Sequence, residues 1–371
     1  MRIALAVLVL VAGLPWSAAA SGTIRVALVA DTPRVELRGT DIEINEIGAC
    51  ERCAGAPWRV DVVRAAAVRD SVEIGGKRAT GFRLRSDRAI RLNGREYAGG
   101  LELLVNGQGL AVVNELPLEE YVVGVLRAEM GDRWHAEALR AQAIVARTYA
   151  AYQRHLNHSK PYHILASTAH QQFWGRVIPA SPAWDAVRET SGQVLRWEGE
   201  LFPAFYHTES GGYTEDPRRV FAARNMPALR PVRCDFSTGS PHYSWNLDVR
   251  LTDLAEALRR NGVDVGSVVA IDVTERTPSL RAAAVTVRGS RAAARLRGND
   301  FRRIVGYDTL KSTLFAVAVD GGYARFAGRG YGHGVGLSQW GAKGMAEQGY
   351  QARQILEHYY PGATFGWLDE R

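Results

Sequence analysis

The chain has 371 residues, of which 46% are hydrophobic and 23% charged, so its composition is globular and its length suits one large domain or two to three small ones. The formal net charge of +7 would favour an anionic partner. The basic residues are nearly all arginines scattered along the chain. We therefore expect no nucleic-acid partner and favour another anionic polymer.

The first twenty residues have the three parts of a secretory signal peptide. Arg2 supplies a positive charge, Ile3–Leu14 is apolar, and Ser17–Ala20 is a run of small residues with an A-x-A cleavage pattern. A membrane anchor is the alternative, but the apolar run is shorter than the roughly twenty residues that a span requires. We therefore expect residues 1–20 to be removed and the mature protein to be exported without a membrane span, to the periplasm or the cell wall.

Short runs rich in β-branched residues, separated by Gly, Asn and Asp, predict strands in the region that follows. These runs are Thr23–Val29, Arg34–Leu37, Trp58–Val63, Ser71–Ile74 and Leu101–Val105. The pair Asn93-Gly94 predicts a hairpin, because both residues accept the positive φ of a two-residue turn. We therefore expect a small β-rich region over residues 21–90, followed by a larger domain over residues 91–365.

Cys50 and Cys53 form a C-x-x-C pair in a predicted loop, whereas Cys234 stands alone. In an oxidising compartment we favour a disulfide within the pair. A zinc ribbon would need a second pair, and a redox motif would need a strand–helix context. Cys234 is also a candidate nucleophile for a cysteine hydrolase, but no helix N-terminus precedes it to activate its thiol.

The period of the apolar residues becomes helical after Leu116. Pro117 fits the first turn of a helix, and Glu119 and Glu120 complement its dipole. Gly131 is expected to end this helix and Asp132 to cap the next one. The faces expected to be buried are Leu118, Tyr121, Val122, Val125 and Leu126 in the first helix, and Leu139, Ala143, Ile144, Ala146, Tyr149 and Ala150 in the second.

The rest of the chain mixes both kinds of element. The predictions are a strand over Leu195–Phe205, a helix over Asp253–Arg260, strands within Val268–Val287, a glycine-rich loop over Arg329–Gly336, and helix over Ser338–Tyr360 with an interruption at Gly349. Because the helices are grouped and do not alternate with the strands, the sequence predicts an α+β fold.

Two charged residues of the helical segment are candidates for chemistry. Glu129 ends an apolar run, and burial against that run would raise its pKa as a general acid requires, although a solvated glutamate at a helix end is the alternative. Arg147 lies in an alanine-rich stretch where an unpaired cation is costly. It therefore forms either a structural salt bridge, for which Glu120 is a candidate, or a contact that orients a carboxylate or the substrate.

Two glycine-containing stretches are candidates for ligand binding. The stretch Phe205–Glu215 combines aromatic rings, hydroxyls and glycines suited to a sugar, with a tight β-turn as the alternative. In Gly328–Gly336 every second residue is glycine, which allows close approach of the backbone to a ligand or another segment, with Tyr331 and His333 displayed between the glycines. No strand–loop–helix unit supports a dinucleotide fold there.

Several longer motifs occur together and in order. They are Asn114–Tyr121, Ala128–Met130, Glu137–Ala143, Ala146–Ala150, Tyr206–His207, Ser210–Glu215, Gly330–Ala342 and His358–Gly362. In this combination the chain resembles the SpoIID/LytB domain family, that of stage II sporulation protein D, over roughly residues 91–365.

The resemblance implies a mixed β-structure with grouped helices that carry a catalytic glutamate. It implies a peptidoglycan lytic transglycosylase, which cleaves the bond between N-acetylmuramic acid and N-acetylglucosamine, leaves a 1,6-anhydro sugar and prefers strands stripped of stem peptides. A single acid is enough for this reaction, because the sugar's own 6-hydroxyl is the nucleophile. The family's glutamate falls on Glu129, its important arginine on Arg147 and a functional tyrosine on Tyr206.

The further substrate contacts that we assign are Ser210, Gly211, Gly212, Tyr331, His333 and Gln339. We expect no metal and no cofactor, and the partners expected are glycan strands and a wall amidase. The alternatives are a non-catalytic enhancer of an N-acetylmuramoyl-L-alanine amidase and a pure wall-binding module.

The chain departs from the family pattern at two places. Gly131 replaces the usual proline after the Glu-Met pair, which is expected to loosen the turn that holds Glu129. Some relatives bind zinc near Cys234, but here Ser237 stands where a second cysteine would be, which leaves His207 and His242 as the remaining candidate ligands.

Overall fold

The computed structural model describes residues 22–48, 56–221 and 225–368. The predicted signal peptide and the Cys50–Cys53 pair lie outside these ranges. The described helices are α1 Leu118–Glu129, α2 Ala136–Leu156, α3 Ala183–Glu189, α4 Pro217–Val220, α5 Leu251–Arg260, α6 Gly298–Val305, α7 Gln339–Glu347 and α8 Ala352–Tyr359. Helices and strands together confirm the predicted α+β class.

The strands of the first 117 residues are β1 Thr23–Thr32, β2 Arg34–Ile47, β3 Trp58–Val68, β4 Ser71–Ile74, β5 Lys77–Ala79, β6 Gly81–Arg85, β7 Ile90–Leu92, β8 Arg95–Tyr97, β9 Gly100–Asn106 and β10 Gly109–Pro117. The later strands are β11 Ile164–Leu165, β12 Gln193–Trp197, β13 Glu200–Leu201, β14 Tyr206–His207, β15 Ser244–Arg250, β16 Val268–Arg276, β17 Ala282–Gly289, β18 Ala293–Arg297, β19 Phe315–Asp320, β20 Tyr323–Arg329, β21 Leu337–Ser338 and β22 Thr364–Trp367.

The first ten strands belong to one sheet. Its main path runs β11-β1-β10-β9-β6-β2-β3-β4-β5, with the hairpin of β7 and β8 attached to β2. The predicted hairpin turn is confirmed, with φ of 51° at Asn93 and 78° at Gly94. Strand β6 pairs directly with β9, so the sheet continues across the boundary expected at residue 90. That boundary remains a prediction.

Helices α1 and α2 pack behind this sheet. Every residue predicted for their apolar faces is buried. Helix α1 begins after Pro117, as predicted, but the cap of α2 is His135 and not Asp132. Asp132 instead pairs with Arg127 at 3.0 Å and accepts a hydrogen bond from Ser181 at 2.6 Å. Its side chain is therefore engaged away from the start of α2.

The predicted strand over Leu195–Phe205 is interrupted. Glu198 and Gly199 both have positive φ and form the turn between β12 and β13, and residues 202–205 lie outside the strands. Pro203 explains the end, because proline has no N–H for a ladder and restricts the residue before it.

Residues 244–329 form a second packed unit that the sequence pattern did not separate. It contains two three-stranded sheets, β15-β20-β19 and β16-β17-β18, with α5 and α6. Its apolar side chains form their own core around Phe301, Phe315 and Phe326. The second unit lies between β14 and β21 in the chain, and these two strands pair with each other.

Candidate functional site

Glu129 is the last residue of α1, and donors from three distant parts of the chain hold its carboxylate. The backbone N–H of Gln172 donates to Oε1 at 2.8 Å and the Tyr206 hydroxyl donates to the same oxygen at 3.4 Å. The Gln339 amide donates to Oε2 at 3.4 Å. Gln172 follows β11, Tyr206 lies in β14, and Gln339 is the first residue of α7. The carboxylate is thus positioned by tertiary structure.

Burial raises the pKa of Glu129 above its usual range, and the hydrogen bonds from Gln172, Gln339 and Tyr206 oppose that rise only in part. The carboxyl group therefore keeps its proton to a higher pH than a solvated glutamate does. This is the property that a general acid requires, so the structure favours the acid interpretation of Glu129 over the solvated one.

Glu129 lines a cavity of about 470 Å³, a volume typical of small-molecule sites. The predicted site residues on its wall are Glu129, Tyr206, Tyr331, His333 and Gln339. The fold thus brings together five of the nine residues that the sequence predicted as site residues, although Glu129 and Gln339 are 210 positions apart.

The glycine-rich loop contributes Tyr331 and His333 by packing closely against the segment after β14. Glu209 and Tyr331 exchange two backbone hydrogen bonds of 2.9 Å each. Gly332 has a φ of +114°, and a Cβ there would lie 2.8 Å from the Cβ of His207. The expectation that these glycines allow close approach of another chain segment is therefore confirmed.

Ser210, Gly211 and Gly212, which were assigned as substrate contacts, do not line the Glu129 cavity. The Ser210 carbonyl accepts a hydrogen bond from Arg281 at 2.5 Å, and the N–H of Gly211 donates to the Glu209 carboxylate at 2.9 Å. Both glycines have positive φ. The three residues form a tight turn, and the glycines border a different cavity of about 810 Å³.

Arg147 makes no hydrogen bond or ion pair with Glu129 and is paired elsewhere. Its Nε and Nη2 donate to the two carboxylate oxygens of Glu119 at 2.8 and 2.6 Å, and its Nη1 donates to the Gln193 carbonyl at 3.1 Å. The side chains of Arg147 and Glu119 are 0% and 2% exposed, respectively. The salt-bridge partner is therefore Glu119 and not Glu120, and the guanidinium has no open path to a substrate.

His207 and His333 lie side by side, with ring centroids 5.5 Å apart. Burial, together with the charges of Arg302 and Arg281, lowers the pKa of His333 to about 3. Burial also holds the pKa of His207 well below its usual range. Both rings are thus neutral near pH 7. His207 Nδ1 lies 3.1 Å from the Val335 carbonyl, and Val335 N–H donates to His333 Nδ1 at 3.0 Å.

The candidate zinc ligands near Cys234 have other partners in the structure. Cys234 is buried, with its Sγ 2.9 Å from the Tyr359 hydroxyl and 3.9 Å from that of Ser237. His242 packs instead on the ring of Tyr331. In the part of the chain that the structure describes, no group of three or more His, Cys, Asp or Glu residues could hold a metal ion.

Sequence reasoning missed two walls of the cavity. One is the polar segment Thr168–Gln172, whose run of hydroxyl, imidazole and amide side chains directly after β11 was a usable signal. The other comes from α6 and the residues after it: Asn299, Arg302, Tyr307 and Asp308. Asp308 is exposed and accepts a hydrogen bond from the Tyr331 hydroxyl at 3.1 Å, so the cavity has a second carboxylate at its edge.

Within the described ranges, no helix is both long and apolar enough to cross a membrane.

Comparison with known proteins assigns the two parts of the chain to different family models. The model described as stage II sporulation protein matches residues 106–197, and a model described as a domain of unknown function matches residues 229–336. The first match includes Glu129 and the second includes Arg302, and both residues line the cavity.

Two of the similar proteins carry the family's name and a third is named an amidase enhancer. Stage II sporulation protein D of Bacillus amyloliquefaciens is 32% identical over 69% of this chain and 76% of its own length. The protein of that name from Bacillus subtilis is 30% identical over the same shares. The amidase enhancer of Bacillus subtilis is 29% identical over 65% of this chain and 39% of its own length. By its similarity to the two stage II sporulation proteins D over most of their length, the chain belongs to the SpoIID/LytB family.

Proposed function

We propose that the protein is a peptidoglycan lytic transglycosylase that cleaves the bond between N-acetylmuramic acid and N-acetylglucosamine in peptide-stripped strands. The names of the relatives support a role related to the cell wall. The observation that carries the finer proposal is Glu129, a partly buried carboxyl group with a raised pKa on the wall of a cavity of sugar-binding size. The expected export to the periplasm or cell wall agrees with such a substrate.

In the proposed reaction Glu129 acts twice. It first donates its proton to the glycosidic oxygen as the bond from C1 of the muramic acid to that oxygen breaks. The 6-hydroxyl of the same sugar then attacks C1, and its proton passes to the Glu129 carboxylate. The products are a 1,6-anhydro end and a free N-acetylglucosamine end, no water is consumed, and the acid is regenerated.

Tyr206 and Gln339 position the acid in this scheme, since both donate hydrogen bonds to its oxygens. The aromatic rings of Tyr206, Tyr307 and Tyr331 on the wall provide faces on which sugar rings can pack. Arg147 is assigned a different role from the one expected. Its pairing with Glu119 fixes α1 to α2, and it acts on Glu129 through the position of α1.

Asp308 supports a second candidate, an ordinary glycosidase with two carboxylates. In that case Asp308 would activate a water molecule or attack the sugar itself, and the product would be a reducing end. Asp308 is exposed and hydrogen-bonded to Tyr331, so it is not enclosed by protein as Glu129 is. The transglycosylase is therefore preferred.

Isotope labelling separates these reactions. Peptide-stripped glycan strands are digested in H₂¹⁸O and the products analysed by mass spectrometry. The proposal predicts anhydro ends without label, whereas a hydrolase would give reducing ends that carry one ¹⁸O atom from the solvent. Labelled reducing ends as the main product would refute the transglycosylase.

The amidase-enhancer alternative rests on the name of one relative and needs its own measurement. A wall amidase is assayed on intact peptidoglycan with and without the protein. The transglycosylase proposal predicts that any stimulation is lost in Glu129→Gln. Stimulation that persists in that variant, without anhydro ends from the native protein, would favour the enhancer.

A further inference from the structure

Arg302 is a buried cation without a carboxylate partner. It lies in α6 and is 5% exposed. Its Nε donates to the Leu310 carbonyl at 2.8 Å and its Nη2 to the Tyr307 carbonyl at 3.1 Å. In the described ranges no ion pair joins its guanidinium to an Asp or Glu, and the guanidinium lies over the Tyr307 ring, 4.9 Å from the centroid. Although burial lowers its pKa to about 10, the group remains positively charged near neutral pH. A buried charge in this state is costly unless a counter-ion arrives.

Arg302 lines the Glu129 cavity. Its carbonyl partners occupy Nε and Nη2, while Nη1 makes no hydrogen bond with the described part of the chain. Arg302 thus brings to the cavity a fixed positive charge with an unused donor. A planar guanidinium of this kind is suited to a carboxylate.

No titratable group on this wall pairs with Arg302, although the charge of Asp308 partly opposes the lowering of its pKa by burial. His207 and His333 are uncharged near pH 7, and burial lowers the pKa of His170 as well. The pKa values of Tyr206 and Tyr331 are raised, so their hydroxyls keep their protons. The remaining acids are Glu129, whose own hydrogen bonds come from other donors, and Asp308, which is exposed and bonded to Tyr331.

We propose that Arg302 binds the lactyl carboxylate of the N-acetylmuramic acid residue and thereby selects strands whose stem peptides have been removed. This inference rests on the proposed function and names a specificity-determining residue for it. In a stripped strand the lactyl group ends in a free carboxylate, whereas an attached stem peptide converts that carboxylate into an uncharged amide. N-acetylglucosamine has no such group, so the charge also fixes which sugar occupies this side of the cavity.

The inference gives a role to the second packed unit. Helix α6 belongs to the core around Phe301, and residues 229–336 match a family model separate from the one that includes Glu129. One unit thus supplies the acid, and the other supplies the cation that recognises the substrate.

A binding experiment tests the inference independently of turnover. In a Glu129→Gln background, calorimetry measures the affinity for short peptide-free strands and for the same strands with each lactyl carboxylate converted to a methylamide. We expect the free carboxylate to bind about ten- to a hundredfold more tightly, the effect of one hydrogen-bonded charge pair. Arg302→Gln should remove this preference. Arg303→Gln should keep it, because that neighbour is exposed and bonds to Asn261.

Each outcome has a defined meaning. Equal affinity for the two ligands, or no binding of either, would overturn the inference while leaving the transglycosylase proposal to its own product assay. A carboxylate preference in a protein that produces no anhydro ends would retain the Arg302 site and refute the proposed reaction. If Arg302→Gln does not fold, equal affinity of the parent protein for the two ligands would still overturn the inference.

Discussion

At the scale of single residues, the proposed chemistry depends on the pKa of Glu129, on which burial and hydrogen bonds act in opposite directions. Burial raises its pKa, and the donors from Gln172, Gln339 and Tyr206 lower it. A general acid is active while it is protonated, so activity should fall as the pH rises through the pKa of Glu129. The pH at which activity falls therefore depends on the hydrogen-bond donors around the Glu129 carboxylate.

Replacing Tyr206 by Phe removes one of these donors. The pKa of Glu129 should then rise further, and the basic limb of the pH profile of kcat/KM should move to higher pH. The maximum should drop by about tenfold, because a hydrogen bond to a charged group is lost. Tyr331→Phe is the matched control, since that hydroxyl bonds to Asp308 and should leave the limb in place. A limb that moves to lower pH in Tyr206→Phe would contradict the assigned contact.

At the scale of elements, the buried pair of Glu119 and Arg147 joins α1 to α2. Arg147→Met alone leaves the buried Glu119 carboxylate without its counter-ion and should lower the free energy of unfolding by about 3–5 kcal/mol. The double variant Glu119→Leu with Arg147→Met should recover most of this loss, because no charge remains buried. Urea denaturation measures both effects. Arg260→Met, which removes an exposed pair with Glu256, is the control and should cost less than about 1 kcal/mol.

The same double variant tests the assigned role of Arg147. If the pair acts only through the position of α1, the folded double variant should still cleave glycan strands. A folded double variant without activity would indicate instead that Arg147 takes part in the reaction.

The turn after Glu129 is the second element-scale feature. Gly131 has a φ of +74°, and the N–H groups of Met130 and Gly131 both donate to the Leu126 carbonyl, at 2.9 and 3.3 Å. The expectation that glycine loosens this turn is therefore corrected, because the turn is closed in a conformation that glycine favours.

Gly131→Pro should destabilise this turn. Proline fixes φ near −65° and has no N–H, so both the conformation and one hydrogen bond are lost, at a cost of about 3 kcal/mol or more. Gly131→Ala keeps the N–H and should cost about 1 kcal/mol. Thermal unfolding with a cleavage assay measures both variants, and a proline variant as stable and active as the native protein would disprove this account.

At the scale of the whole molecule, the sequence predicted local structure well because short-range chemistry determines it. Pro117, Asn93-Gly94 and Gly131 mark a helix start, a hairpin and a helix end through backbone preferences alone. Whether Glu119 or Glu120 pairs with Arg147 depends on which face of α1 meets α2. Because the two residues are identical and adjacent, the sequence does not reveal that face. The cap of α2 also depends on tertiary contacts. Asp132 is held by Arg127 and Ser181, and His135 caps the helix instead.

The assembly of the site was only partly predictable. The motif resemblance identified Glu129, Tyr206, Tyr331, His333 and Gln339, which the pairing of β14 with β21 helps to bring to one cavity. An equally recognisable motif contains Ser210, Gly211 and Gly212, but these residues form a tight turn. Both glycines have positive φ, and the backbone groups of the turn make buried hydrogen bonds. Nothing in the local pattern distinguishes Arg302 from Arg303, because burial of one and exposure of the other arise from the second core.

The central claim is that Glu129 is the acid of the cleavage reaction, and one measurement tests it most directly. The rate at which 1,6-anhydro ends form from peptide-stripped strands is compared between the native protein, Glu129→Gln and Glu120→Gln. Glu120 lies on the same helix and outside the cavity, so it controls for loss of a carboxylate from α1. Circular dichroism confirms that each variant is folded.

The account predicts that Glu129→Gln loses activity by at least about a hundredfold, the lower range of a general-acid contribution, while Glu120→Gln stays near the native rate. Native-like formation of anhydro ends by a folded Glu129→Gln protein would contradict it.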